Sequence, residues 1–444
     1  MGNRLVSFCE NYADHFQLKT REMSTQSRQY LCGLMQANRK NMERMAEVVP
    51  DSDEQSLQHF LSNSDWNERS VLDQVAFEAD QLLGGQTDSC LILDESGFTK
   101  KGTCSVGVSR QYNGRLGKRD NCQVGVFAAL SCGDQVTLID KRLYLATSWT
   151  DDPERCEKAG IPKADQAFKT KPELALEMVR YNRRLGIRFE WVGADGLYGN
   201  TPILLRALDD DGEIFVFDVH KDQRIYLEDP EPKIPERKGN RGRHPTIATT
   251  ELKPIKVAQW AKEQDESAWQ RTELRNGTKG RLLVEVLHRE VWLWDGKEAN
   301  ACCWRLIIRR ECANQNEIKY SVSNAPESTT IPRLAQMQGQ RYWVERAFQD
   351  GKSTVGMDHY QARGWKSWNH HMALVMMAML FMLKERAIQR DDVPLLSCSD
   401  ITTLLAHFLP RRDIRRDEVI RQMEVRHKKR QASIDNYFKN QQLE

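Results

Sequence analysis

Three acids in this 444-residue chain stand where they could share divalent cations: Asp94, Asp195 and Glu345. Phosphoryl transfer assisted by two metal ions needs carboxylates that converge from separate elements, because two Mg²⁺ about 3.5 to 4 Å apart must be held around one phosphate. Asp94 follows the apolar run Leu91-Ile92-Leu93, which places it at or near the end of a first strand, an exposed position for a charge that is costly inside. Asp195 closes Trp191-Val192-Gly193-Ala194, and Gly196 behind it leaves backbone room for a turn. Glu345 lies in a helical stretch. At about 3.6 residues per turn, Arg341, Glu345, Phe348 and Lys352 fall on nearly one face of it. An acid flanked by two cations suits a metal ligand with phosphate-binding neighbours, and Arg341 and Lys352 would fix register by charge.

Each acid also has an ordinary explanation. An Asp after an apolar run commonly closes a turn, and Arg-Glu-Lys on a helix is commonly a solvated, salt-bridged face. Glu95 would point to the opposite face of its strand, Asp218 ends another candidate strand, and Asp209 to Asp211 read as a loop, so all rank below the three. His370 and His371 are adjacent on a helix and face different directions, which argues against a metal pair. Neither HExxH, a P-loop nor GxSxG is present, excluding the parts of a zinc protease, an NTPase and an α/β-hydrolase. Lys100 and Lys101, with Arg115, Lys118 and Arg119, supply positive charge near Asp94 as candidate phosphate contacts. The tail adds Arg411-Arg412, Arg415-Arg416 and the run His427 to Arg430.

The elements that must position these residues follow from pattern. Residues 1–85 show apolar groups three and four apart and read as a helical module. From Ser89 the texture turns to strands: CLILDESGF, CSVGVSRQY and CQVGVFAALSCGDQVTLIDKRLYL read as three consecutive antiparallel strands. PELALEMVRYNRRL is helical with Pro in its first turn, IRFEWVGAD returns to strand, Ile203 to Leu208 is a short helix, and EIFVFDV is a further strand. Three strands, helix, strand, helix, strand is the order of a ribonuclease H-like sheet, in which the Asp94 and Asp195 strands lie side by side. The expected architecture is therefore α/β: a first part of that core over 86–220, a β-rich insertion over 221–332, a helical end of the core over 333–390 and a basic helical tail over 391–444.

Composition bounds the rest. With 40% hydrophobic and 29% charged residues the chain is ordinary for a globular protein, too long for one small core. A net charge of +2 announces no global basic field, so any nucleic-acid contact must rest on local patches. The eleven cysteines contain no CxxC pair, excluding a zinc ribbon or disulfide framework, and read as buried thiols in a reducing cytoplasm. The N-terminus lacks the apolar core of a signal peptide. Met372 to Leu383 spans twelve residues where a membrane crossing needs about 20, and it reads as a buried core helix.

The strings LDESGFTKKG around Asp94, GADGLYGN around Asp195 and RYWVERAFQDGKSTVGMDHYQARGW around Glu345 resemble insertion-sequence transposases of the IS-four-like superfamily, nearest the insertion sequence seven-hundred-and-one group. The resemblance runs from about Tyr30 to Met382. Its signature places an Arg four residues before the catalytic Glu and a Lys seven after it, which Arg341 and Lys352 satisfy; a Tyr three residues before the Arg is replaced by Gln338. It implies a DDE transposase that uses Asp94, Asp195 and Glu345 to hold two Mg²⁺, with Mn²⁺ able to substitute. A water would open a phosphodiester at each transposon end, and the freed 3′-hydroxyl would then attack target DNA. Double-stranded DNA, a homodimer that pairs two ends, and no membrane are the implied partners. The β-rich insertion would shield the DNA ends, with Trp292, Trp294 and Trp304 as candidates to stack on a flipped base. Two rivals remain: a transposase-derived DNA-binding protein without the reaction, and a nuclease that hydrolyses without joining.

Overall fold

The apolar run before Asp94 is the middle of a large sheet. In the computed structural model, which describes residues 1–236, 244–277 and 280–441, strand β1 (Ser89–Thr99) has neighbours on both sides. It pairs antiparallel with β3 (Lys118–Cys132) and parallel with β5 (Trp191–Ala194). A strand flanked on both edges and covered on both faces needs a continuous apolar run, and Cys90 to Leu93 are all buried.

The protein is mixed α/β and divides into two compact units: Met1–Glu68 with Gly351–Ala362 and Lys366–Glu444, and Arg69–Asp350 with Arg363–Trp365. The second unit holds a 10-stranded sheet. Four strands, not the expected three, precede the long helix. The third apolar segment breaks at Gly133, whose φ of 59° turns the chain back, so β3 is followed at once by β4 (Gln135–Leu143). The short β2 (Ser109–Asn113) pairs with the beginning of β3, and β4 pairs further along it. Helix Lys171–Leu185 packs against β3 and β4. It starts with a reciprocal capping box between Thr170 and Glu173 and with Pro172 in its first turn, which sets its boundary. Helix Pro202–Asp210 then connects β5 to its parallel neighbour β6 (Phe215–Asp218).

The β-rich segment extends this same sheet. After a short pair, β7 (Arg224–Ile225) with β8 (Ile255–Lys256), come β9 (Gln270–Gly277), β10 (Gly280–Leu293), β11 (Cys302–Glu311) and β12 (Asn314–Ser323). The last of them pairs antiparallel with β6 and sets Ser321 opposite Asp218. The basic stretch 237–243 and the side chain of Arg115 lie outside the described residues.

Beyond β12 the chain is not one helix but a series: Ile331–Gln340, Tyr342–Ser353 and Trp365–Ile388. In the first unit, Met372 to Leu383 are buried all round, as a helix apolar on every face must be. No helix is long and apolar enough to cross a membrane among the described residues. The N-terminal helices close over this central one: Phe8 meets Phe381 at 5.4 Å, and Arg4 grips the buried Glu385 with two bonds of 2.7 Å. All eleven cysteines are thiols, but only Cys9, Cys90, Cys122, Cys156 and Cys398 are buried; Cys104 and Cys303 are exposed, so the expectation of uniformly buried thiols fails.

Candidate active site

Strand register sets the two aspartates beside each other. β1 and β5 run parallel with Leu93 opposite Ala194, and the next residues along are Asp94 and Asp195. Asp94 is not at a strand end: β1 continues to Thr99 because β3 still offers it a partner, while β5 stops. Asp195 leaves the sheet as the N-cap of the short helix Gly196–Gly199, its carboxylate accepting from the Leu197 N–H at 2.9 Å. That turn depends on Gly199, where a Cβ would lie 1.9 Å from the Asp218 carbonyl oxygen.

Glu345 arrives from above the sheet. Asp94 is paired across the sheet with Phe127, so the two share a face, and Phe348 packs edge-on against Phe127 at 5.5 Å. This packing lays helix Tyr342–Ser353 on the face that carries Asp94. Phe348 is therefore a buried anchor on the same side as Glu345, which is itself 55% exposed.

Arg341, at the junction of two helices, joins the acids. Its Nε donates to Asp218 Oδ2 at 3.0 Å, its Nη2 to Glu345 Oε1 at 3.0 Å, and its Nη1 lies 3.8 Å from Asp94 Oδ2. Burial works against the Arg341 charge, but the carboxylates of Asp218, Asp94, Glu345 and Asp195 outweigh it and hold the guanidinium above its ordinary range. The acids show the opposite strain. Asp94 is only 14% exposed, and burial, then repulsion from Asp195, push its carboxyl up to about 8, although Arg341 pulls the other way. Asp195 is likewise raised by burial and by Glu95.

Glu95 is engaged elsewhere, accepting from Lys171 Nζ at 2.9 Å and the Tyr198 hydroxyl at 3.2 Å. Asp218 belongs to the cluster, although its sequence context ranked it below the three acids. Gln338 is buried rather than presented to a ligand: its oxygen accepts from Arg309 at 2.8 Å and its amide donates to Ser321 at 2.7 Å. The signal that could have found Asp218 and Gln338 is the β6 to β12 pairing, which no local pattern contains.

Other candidates are not brought together. Lys352 lies about two helical turns beyond Glu345 on the same helix. Lys100 and Lys101 sit in the turn after Thr99, roughly 20 Å from Asp94 at the usual strand rise, near Lys118 and Arg119 at the start of β3. Trp304 is buried, edge-on to Phe215 at 5.2 Å, with its indole donating to Asp209; Trp292 and Trp294 are half-buried. His370 faces the carbonyl oxygens of Leu61 and Trp66, and His371 the Tyr30 hydroxyl, so both serve packing. In the tail, Arg426 and Lys429 pair with Glu47, Glu43 and Glu54 of the N-terminal helices.

The family model described as DDE superfamily endonuclease matches residues 13–281, more than half of the chain. The chain belongs to the DDE endonuclease superfamily. It is also 26% identical over 326 residues, 73% of this chain and 72% of the relative, to a protein of Microchaete diplosiphon described as "Probable transposase for insertion sequence element IS701". The matched range spans the positions of Asp94 and Asp195 and ends before Glu345.

Members of the DDE superfamily use divalent metal, and the donor set here fits a hard cation: carboxylate oxygens only, two of them raised in pKa by burial and then by a neighbouring acid. The Arg341 guanidinium offsets part of that rise. Among the described residues, no three His, Cys, Asp or Glu side chains are already gathered tightly enough to hold a metal ion. Glu345 is drawn instead to Arg341.

Proposed function

We propose that this DDE endonuclease is a transposase that cleaves double-stranded DNA at the ends of an insertion sequence and joins the freed 3′ ends to target DNA. The observation that supports the proposal is that Asp94 and Asp195 follow paired residues of two neighbouring strands while Arg341 reaches toward both Asp94 and Glu345. The strands β4, β3, β1, β5 and β6, in that order, are read as a ribonuclease H-like core, with three antiparallel strands followed by two parallel to β1. The β-rich segment then covers one end of that core, and the helical module over 1–85 is assigned to DNA-end binding.

Asp94, Asp195 and Glu345 would hold two Mg²⁺, or Mn²⁺ in their place. Bound there, the ions supply an activated water and stabilise the leaving oxygen. The chain contributes position and charge. Asp94 and Asp195 are fixed by strand pairing and by the Leu197 N–H, so they cost no reorganisation when the DNA arrives. Glu345 sits on an anchored helix but is exposed, so it can turn from Arg341 toward the aspartates. Arg341 meets the phosphate. Two ends processed together call for a homodimer.

The test uses a duplex carrying the inverted repeat that brackets the gene, incubated with Mg²⁺ or Mn²⁺. Asp94→Ala, Asp195→Ala and Glu345→Ala are each expected to abolish strand cleavage while retaining DNA binding. Cleavage that survives all three refutes the assignment. Binding without cleavage by the unaltered chain would make it a transposase-derived DNA-binding protein.

A further inference from the structure

Arg341 uses its three edges on three different carboxylates, and they are not equivalent. Glu345 is exposed and Asp94 is 3.8 Å away, whereas Asp218 is held from behind. Arg309 can only donate, so its 2.8 Å bond fixes the Gln338 side chain with its oxygen toward Arg309. The Gln338 amide must then donate to the Ser321 hydroxyl, at 2.7 Å. The single Ser321 proton is left for Asp218 Oδ1, at 2.6 Å, and Asp218 Oδ2 accepts the Arg341 Nε. Arg309, Gln338 and Ser321 are all buried, and strand pairing sets Ser321 opposite Asp218. Every donor in this chain points toward Asp218. A residue with one donor and one acceptor is required between Arg309 and Ser321, and glutamine supplies both.

We propose that Asp218 is a positioning residue that keeps Arg341 tethered by its Nε while its two Nη groups pass from the site acids to a DNA phosphate. Both Asp218 oxygens accept a hydrogen bond, one from Ser321 and one from Arg341, which orients the carboxylate toward the guanidinium. Cations held by Asp94 and Glu345 would deprive the Nη groups of their partners. The remaining tether then presents a fork of two donors, the geometry that suits a phosphate. The Arg341 contact to DNA is thereby made conditional on metal. This inference rests on the metal-dependent reading above.

The experiment measures binding of the full-length protein to a fluorescein-labelled duplex carrying the bracketing inverted repeat, over a salt series, in EDTA and in Ca²⁺. Each phosphate neutralised by a protein cation adds about 0.9 to the slope of log affinity against log salt, so removing one cation flattens the slope by that amount. Arg341→Ala and Asp218→Asn are each expected to show that drop in Ca²⁺ and none in EDTA, and the double variant no more than either alone. In Mg²⁺, Asp218→Asn should slow cleavage at saturating DNA on the order of 10²-fold, the usual consequence of a displaced group, and have no further effect when Arg341 is already alanine. Ser321→Ala, which keeps every charge, should follow Asp218→Asn in direction and serves if that variant does not fold. Slopes equal to wild type in Ca²⁺, an Arg341→Ala drop of the same size in EDTA, or additive losses in the double variant would overturn the proposal. Failure of the underlying reading is separable: either Asp94→Ala would still cleave or the unaltered chain would not, while the binding arm needs no turnover.

Discussion

Asp94→Asn is expected to stabilise the metal-free protein while ending its cleavage activity. The folded carboxyl is held at about 8 by burial and then by Asp195, against about 3.9 for an unfolded aspartate. At pH 7 the folded state therefore retains a proton that the unfolded state has released. The three units between the unfolded value and neutrality correspond to about 4 kcal/mol against folding. Asparagine keeps an oxygen for the Glu95 N–H, now accepted at 2.8 Å, and has no proton to release on unfolding, so up to about that cost should be returned. For a unit of this size each kcal/mol raises the melting temperature by about 2 to 4 °C. Because the carboxyl is raised rather than lowered, wild-type stability falls as pH climbs from about 4 to about 8. The advantage of the variant must accordingly be smaller at pH 5.5 than at pH 8. Thermal melts in EDTA across that range test this. Added Mn²⁺ at a hundredfold excess over its dissociation constant should raise wild-type stability by about 2.7 kcal/mol and leave the variant largely unmoved. A variant that melts at or below wild type at pH 8 in EDTA, or gains equally at pH 5.5, would refute the reasoning.

Gly199→Ala should lower the melting temperature and abolish cleavage, because its Cβ must displace the Asp218 backbone; Gly114→Ala, which meets open space, is the matched control. Phe348→Ala removes the anchor of the Glu345 helix on Phe127 and should cost about 3 to 5 kcal/mol in urea unfolding, with Phe348→Leu recovering most of it. Lys100→Ala with Lys101→Ala should weaken duplex binding and flatten its salt dependence, yet leave the cleavage rate at saturating DNA unchanged, since both lie roughly 20 Å from Asp94.

The elements that were legible in sequence are those whose cause is local. Thr170, Pro172 and Glu173 state a helix start within four residues, and the run Met372 to Leu383 states a buried helix by having no polar face. The hairpin at Gly133 was also written locally, in the Gly-Asp pair between two apolar runs, but a continuous β pattern masked it. Helical periodicity ran equally well through Arg341. It could not show that one helix ends there and another begins, because Arg341 keeps helical backbone angles across the junction.

The site divides along the same line. Asp94 and Asp195 could be paired from sequence because each closes an apolar run and the strand order of one fold sets those runs side by side. Asp218 closes a similar run and had no local mark to raise it. What distinguishes it is Ser321, 103 residues later, brought opposite by strand pairing. The same holds for Gln338, whose partners Arg309 and Ser321 come from two further strands. Seen on a helix alone, it stood only as a missing phosphate ligand. Electrostatics bears on this hidden half of the site: burial and neighbouring acids raise Asp94 and Asp195, and the Arg341 guanidinium offsets part of that rise. Holding its Nε on Asp218 leaves the guanidinium close enough to relieve the acids and still able to let go of them.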